Sequence, residues 1–309
     1  MNKPLVVVVL GPTASGKTSL GIEIAERLGG EIVSADSMQI YENMDIATAK
    51  PTVDERARVK HHLVGFVPMG EKFSVAKYKE KATEAIDDIL SRGKLPIVVG
   101  GTGLYIDTLV NNTEFLDYQE SDIRTKLEER LKNEGIEALL KELGKVDPTT
   151  AERLHINDIK RIIRALEVYY TTGKTISEQD ELSHQNESKY RWLLIGLNAK
   201  DRQYLYDRIN LRVDLMLEAG LIEETETFFK SEVSATAAQA IGYKELKPYI
   251  DSLVSLKEAT DKLKMESRRY AKRQLTWFRR NRSINWLYID EMSSSELTDT
   301  ACRTIENER

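Results

Sequence analysis

Residues 5–28 leave a chain like this little freedom in how it can fold. An apolar run, Leu5 to Leu10, ends in Gly11-Pro12-Thr13-Ala14-Ser15-Gly16-Lys17-Thr18, and a helix-period segment from about Lys17 to Leu28 closes at Gly29-Gly30. A short apolar run followed directly by a glycine-rich turn and a helix is the opening unit of a parallel α/β sheet. The octet fits G-x-x-x-x-G-K-[ST], in which successive backbone N–H groups make a nest for phosphate oxygens and the helix adds its positive end. Lys17 is placed to reach the outer phosphates, and the Thr18 hydroxyl to ligate an accompanying Mg²⁺. A phosphorylated ligand is therefore expected, its identity open at this point.

The next segments continue the same rhythm. Glu31 to Ala35, His62 to Val67 and Leu95 to Val99 read as strands, with a helix from about Val75 to Arg92. The expected fold class is α/β, a P-loop parallel sheet with helices on both faces. Ligands of such sheets sit at the carboxyl ends of the strands. Three polar motifs fall there and are expected to share one cleft: the phosphate loop, Asp36-Ser37-Met38-Gln39-Ile40-Tyr41, and Gly100-Gly101-Thr102-Gly103-Leu104-Tyr105. From about residue 112 to 188 the sequence turns charged and helix-periodic, with helices near Arg124 to Lys132, Ile136 to Leu143 and Ile159 to Tyr170. That stretch reads as a helical insertion domain, with residues 1–111 and 189–309 forming the core domain. A strand returns at Tyr190 to Leu197, then helices at Arg202 to Glu218 and after Leu221, a longer helix entering a basic stripe, and a last strand at Ile284 to Ile289.

Composition excludes several classes. No apolar run approaches eighteen residues, so no membrane span is expected, and the absence of a secretory leader makes the cytoplasm the default location. Cys302 is the single cysteine, and the four histidines, with His61 and His62 adjacent on a strand, do not suggest a metal cluster. The net charge of −5 hides an uneven distribution. Arg268 to Arg282 carries seven Lys/Arg, no acid and three aromatics, a stripe able to neutralise nucleic-acid phosphates. A solvated helix face would also account for it.

The strand Pro96-Ile97-Val98-Val99 ends in Gly100-Gly101, where ATP-hydrolysing P-loop proteins usually carry an acid to order Mg²⁺ and water. The acid stands instead at Asp36, bordering the phosphate nest. No Asn-Lys-x-Asp motif is present, which disfavours a GTPase.

Taken together, GPTASGKT, DSMQIYENMDIATAKP, VGGTGLY, HINDIKRIIRALEVY, RINLRVDLMLEAG and AKRQLTWFRR resemble the tRNA dimethylallyltransferase family over nearly the whole chain, Leu5 to about Ile289. The resemblance implies transfer of a dimethylallyl group from dimethylallyl diphosphate to N6 of adenosine 37 in tRNAs that read codons beginning with U. The partners it implies are dimethylallyl diphosphate and the tRNA anticodon stem-loop, met by a monomer with Mg²⁺ as cofactor. On this reading Gly11, Pro12, Thr13, Ala14, Ser15, Gly16, Lys17 and Thr18 grip a departing diphosphate, and no water needs activating. Asp36 takes the amine proton as general base. The resemblance assigns Arg212 and Thr13 to charge and hydroxyl contacts on the diphosphate, although periodicity alone would make Arg212 a surface ion pair.

The same resemblance draws a tRNA path. It begins at Asp36, Ser37, Met38 and Gln39, where Gln39 suits an adenine edge, and passes Thr102 and Arg124. It continues through Lys160, Arg161 and Arg164, then Gln239, Gly242 and Lys244, and ends on Lys272, Arg273, Gln274, Trp277 and Arg279. Some relatives carry arginines where Gln239 and Lys244 stand here. Three alternatives remain: a free adenine-nucleotide isopentenyltransferase, a P-loop small-molecule kinase, and a non-catalytic RNA-binding protein. The helical insertion and basic helix argue against the first, the missing strand-end acid against the second, and Asp36 against the third.

Overall fold

The computed structural model describes residues 3–113, 115, 122–185 and 187–309. Two compact units emerge, Met1–Leu109 with Lys189–Arg309, and Val110–Ser188. The first is built on six parallel strands: β1 (Leu5–Leu10), β2 (Gly30–Ser34), β3 (His61–His62), β4 (Leu95–Gly100), β5 (Arg191–Asn198) and β6 (Asn285–Tyr288), in the order β3-β2-β4-β1-β5-β6. β1 lies between β4 and β5, with Val8 opposite Val98 and Leu194. Its residues Val6 to Leu10 are fully buried, so both faces of the sheet are covered, as parallel strands require.

Helix α1 (Lys17–Leu28) covers one face, with α2 (Val53–Arg58) on its flank. Leu20, Ile22 and Ile24 of α1 pack with Val7, Val9, Ile97 and Ile195. Helix α3 (Val75–Ser91) lies against β2 and β4, burying Tyr78, Ala82, Ile86 and Ile89 at helical spacing. Helix α4 (Gly103–Val110) follows β4.

The second unit is helical: α5 (Ile123–Glu134), α6 (Ile136–Val146), α7 (Pro148–Arg153), α8 (Ile159–Thr172) and α9 (Ile176–Gln185). Its core gathers Leu127, Leu139, Leu143, Ile162, Ile163 and Leu166, the apolar stripes of α5, α6 and α8. The first unit resumes with β5, α10 (Arg202–Glu218), α11 (Leu221–Lys230), α12 (Tyr243–Ile250), α13 (Leu256–Phe278), β6 and α14 (Ser294–Glu306).

One expectation is corrected. The strand expected from His62 to Val67 shrinks to His61–His62, because Leu63 at φ 62° and Gly65 at φ 58° turn the chain, and Val67 keeps only an isolated bridge to Tyr41. Beyond the last strand read from the sequence, the chain forms α14. A capping box between Ser293 and Glu296 starts it, and Ala301, Cys302 and Ile305 bury its inner face in the core shared with α1. Among the described residues no helix is long and apolar enough to cross a membrane.

One buried carboxylate ties the far end of the sheet. Glu31 on β2, its side chain 3% exposed, bonds Arg92 at 2.5 and 2.8 Å, Lys94 at 2.7 Å and the His62 ring at 2.8 Å. The Arg92 hydrogen bonds, against the opposing cost of burial, hold its carboxyl well below the usual carboxylate range. A folded-state value below the unfolded one contributes stability above the ordinary pKa near 4.5 and loses it as pH falls below that value. Glu31→Gln should cost about 2–3 kcal/mol at pH 7, less than a fully buried pair because the partners are partly exposed. In urea titrations between pH 7 and 3, the wild-type protein should lose stability more steeply than the variant.

Candidate active site

The phosphate loop keeps its shape through contacts that sequence proximity does not explain. Gly11 must be glycine because a Cβ there would meet the Leu197 carbonyl oxygen at 2.7 Å and Ser15 Oγ at 2.9 Å. Gly16 turns the chain into α1 at φ 87°, and Ala14 sits at φ 63° with its carbonyl accepting from Arg208 Nε at 2.8 Å. Thr13 N donates to Gln274 Oε1 at 2.8 Å, and Gln274 Nε2 donates to the Gly101 carbonyl at 2.9 Å. One amide from α13 thus pins the loop after β1 to the loop after β4.

The loop borders a cavity of about 340 Å³ lined by Thr13, Lys17, Thr18, Asp36 to Gln39, Arg212, Gln239, Gly242, Lys244, Tyr270 and Arg273, among others. Three of these cations, Lys17, Arg212 and Arg273, make no ion pair with a carboxylate among the described residues, and the first two flank the phosphate loop and Asp36. Lys17 Nζ donates only to the Pro12 carbonyl at 3.3 Å. Burial, then repulsion from Arg212, pull its amine down to about 8, with Asp36 opposing. Arg212 is likewise pulled down by burial and supported by Asp36. Helix α1 has neither a side-chain cap nor an acid in its first turn, so its positive end also lacks compensation. The Ser15 hydroxyl is buried with no partner among the described residues. Cations from α1 and α10, an open helix end and an orphaned hydroxyl around one loop describe a site for a polyanion.

Asp36 lies opposite in character. Its Oδ1 accepts from Met38 N at 2.9 Å and Gln39 N at 3.4 Å, an Asx turn that sets the carboxylate plane and leaves Oδ2 without a protein partner among the described residues. Thr102 buttresses this turn: its Oγ1 accepts from Ser37 N at 3.0 Å. No group of three His, Cys, Asp or Glu that could cage a metal occurs among the described residues. The hard oxygens present, above all the Thr18 hydroxyl, suit a Mg²⁺ that keeps waters and phosphate oxygens as its other ligands.

Several expected binding residues stand differently. Thr102 does not line the cavity; it supports Ser37 from behind. Gln39 lines the cavity, and its amide nitrogen donates to the Thr48 and Ala49 carbonyls at 3.2 and 3.0 Å, so it also orders a loop. Gln274 is buried and spends both amide atoms on the two loops. Trp277 donates to Asp107 at 2.7 Å under the Arg280 guanidinium, which docks α13 on α4. Lys272 and Arg279 occupy the opposite face of α13 from Tyr270, Arg273 and Gln274 and line a different cavity. Arg124, Lys160, Arg161 and Arg164 belong to the helical unit, where buried Glu167 receives Arg124 at 3.3 Å and Arg164 at 3.0 Å, Arg161 faces Asp158 at 3.8 Å, and Lys160 is exposed.

Sequence reasoning missed two supports. Glu224 of α11 accepts the backbone N–H groups of Asp45, Ile46 and Ala47 at 2.7–2.9 Å and the Tyr243 hydroxyl at 2.8 Å, fixing the wall that includes Ala47 to Ala49. Tyr270, one turn before Gln274, lines the same cavity. Its place in the basic stripe hid it among charges. The i, i+4 spacing with Gln274 was the available signal.

Comparison with known proteins places these features in a family. The family model described as IPP transferase matches residues 39–281, and that described as Isopentenyl transferase matches residues 4–64. The chain is 52% identical, over 94% of each sequence, to the tRNA dimethylallyltransferase of Acetivibrio thermocellus. The full-length tRNA isopentenylpyrophosphate transferase of Bacillus halodurans superposes with a TM-score of 0.73 at 41% identity, covering 99% of this chain and 96% of that one. A eukaryotic dimethylallyltransferase acting on tRNA reaches 0.82 at 29% identity, covering 98% and 80%.

The lowered Lys17 pKa sets a pH dependence for polyanion binding. Below about 8 the amine is charged and attracts the anion; above it, binding must draw a proton back onto Lys17. Calorimetric affinity for inorganic diphosphate should fall up to tenfold per pH unit above 8, and Lys17→Met should flatten that branch of the profile.

Proposed function

The chain belongs to the tRNA dimethylallyltransferase family, and on that premise we propose that it transfers a dimethylallyl group from dimethylallyl diphosphate to N6 of adenosine 37 in tRNAs that read U-initial codons. The observation that carries this reading is the juxtaposition, in one pocket, of Lys17 and Arg212, cations lacking carboxylate partners among the described residues, and a single oriented carboxylate. A diphosphate satisfies the first, and an exocyclic amine the second.

The adenine amine is a weak nucleophile because its lone pair is delocalised into the ring, and it needs a base at hydrogen-bond distance during attack. Asp36 fills that role: Oδ1 is held by the turn, and Oδ2 accepts the proton as the new N6–C1 bond forms. The C1–O bond breaks with its electron pair going to the diphosphate. Lys17, Arg212, the loop N–H groups and the Ser15 and Thr13 hydroxyls stabilise the developing charge from fixed positions, without reorganising water. Mg²⁺, when bound beside Thr18, supplies further charge neutralisation on the leaving group. The target base must leave its stack to reach this pocket, which suits a loop-shaped RNA. Gln239, Lys244 and Arg273 line the cavity with polar and basic groups suited to that RNA. The catalytic set lies within one chain, which supports action as a monomer.

Incubation with dimethylallyl diphosphate, Mg²⁺ and either an A36-A37 tRNA or AMP, followed by nucleoside analysis, tests the reading. Prenylated tRNA with unmodified AMP is expected; the reverse assigns the chain to free nucleotides. Asp36→Asn should lower single-turnover transfer roughly 10²- to 10⁴-fold while leaving tRNA affinity within about threefold. Loss of affinity with intact chemistry would contradict the assigned role.

A further inference from the structure

The two adjacent histidines of β3 face opposite sides of the strand and do different work. His62 Nε2 meets Glu31 at 2.8 Å. His61 turns to the other side, where its Nδ1 lies 2.7 Å from the Val59 carbonyl oxygen and its Nε2 is buried with no hydrogen-bond partner among the described residues. Buried polar atoms are nearly always satisfied, so this nitrogen calls for a guest.

The contacts fix what kind of guest it takes. A carbonyl oxygen can only accept, so Nδ1 carries the ring's proton. Burial holds the imidazole below its ordinary value of 6.5, against the Val59 bond that raises it, so the ring is neutral near pH 7. Nε2 therefore presents a bare lone pair, and its guest must donate a hydrogen bond.

His61 lines a small cavity, of about 10 Å³, together with Lys17, Thr18, Ser34, Asp36 and Gln39. That is close to the space one water needs, roughly 10–15 Å³. The neighbouring side chains have committed their protons. Ser34 gives its hydroxyl proton to Gln39 Oε1 at 3.3 Å, and Gln39 Nε2 gives to the Thr48 and Ala49 carbonyls at 3.2 and 3.0 Å. Lys17 donates to the Pro12 carbonyl at 3.3 Å. A water supplies the missing donor, and Thr18, whose hydroxyl suits Mg²⁺, lines the same space.

We propose that His61 is a positioning residue for Mg²⁺: its Nε2 accepts a hydrogen bond from one water of the ion's shell, which occupies this cavity while the Thr18 hydroxyl ligates the ion. The water's oxygen faces the cation and one of its protons faces the imidazole, so a single molecule satisfies both. A neutral acceptor orients that water without adding negative charge. The ion is then held firmly only when diphosphate brings its own charge to the loop, which couples the two ligands. The inference rests on the proposed Mg²⁺–diphosphate site at the phosphate loop, and it is independent of what accepts the dimethylallyl group.

Calorimetry on the full chain tests this, measuring affinity for inorganic diphosphate with and without Mg²⁺ in wild type and His61→Asn. The asparagine amide keeps a donor for the Val59 carbonyl and leaves nothing at the Nε2 position. Mg²⁺ should tighten diphosphate binding in wild type. In His61→Asn that enhancement should fall about tenfold or more, as for other outer-shell partners of a metal, with metal-free affinity within about twofold of wild type. A variant that keeps the full enhancement overturns the role of His61 and leaves the Mg²⁺–diphosphate site standing. Equal losses with and without Mg²⁺ also overturn it, because they mark a residue that serves folding alone. No enhancement in wild type removes the site itself and the inference with it. If His61→Asn proves unfolded by circular dichroism, His61→Leu, which keeps apolar volume and no acceptor, takes its place in the same comparison.

Discussion

Lys17 and Arg212 repel each other across a pocket that holds a single carboxylate, and the architecture around them exists to keep them there. Bringing two desolvated cations together is unfavourable, and the protein offsets it with a buried sheet, an interlocked loop and a neighbouring Asp36 rather than with ion pairs. That choice keeps the cations available. An ion pair would stabilise the empty protein and compete with any incoming anion. The unpartnered Ser15 hydroxyl follows the same logic: a polar group left unsatisfied on folding is satisfied when a phosphate oxygen arrives.

Helix α13 gives this pocket its back wall and its registration. Gln274 fastens the phosphate loop to the loop after β4, while Trp277 and Asp107 hold the helix to α4. The basic stripe is thereby divided. Arg273 turns toward the active-site cavity, and Lys272 and Arg279 toward the far side. A linear reading of charge density along the helix merges surfaces that the helical period separates.

What was legible from the sequence tracks how local the determining contacts are. The bounds of β1, α1 and α10 depend on apolar period, glycine placement and side chains within a few residues, and each was readable. The strand at His62 was overextended because the left-handed backbone at Leu63 is not encoded by a residue type that favours it. Gln274 and Glu224 were opaque for another reason: their partners lie 261 and 177–179 residues away, and nothing near them in sequence indicates what they hold. Resemblance placed Gln39, Thr102 and Gln274 on an RNA path, and the hydrogen bonds show that each of them also holds a loop in place.

Glu224 illustrates what such long-range ties do. One carboxylate collects three consecutive backbone N–H groups from the loop at 45–47 and the Tyr243 hydroxyl from α12, and both segments border the active-site cavity. Two walls that could move separately are therefore joined at one point. The aperture between them is set when the chain folds, so the entropy of ordering it has been spent before a substrate arrives, and binding energy is left for the reacting groups.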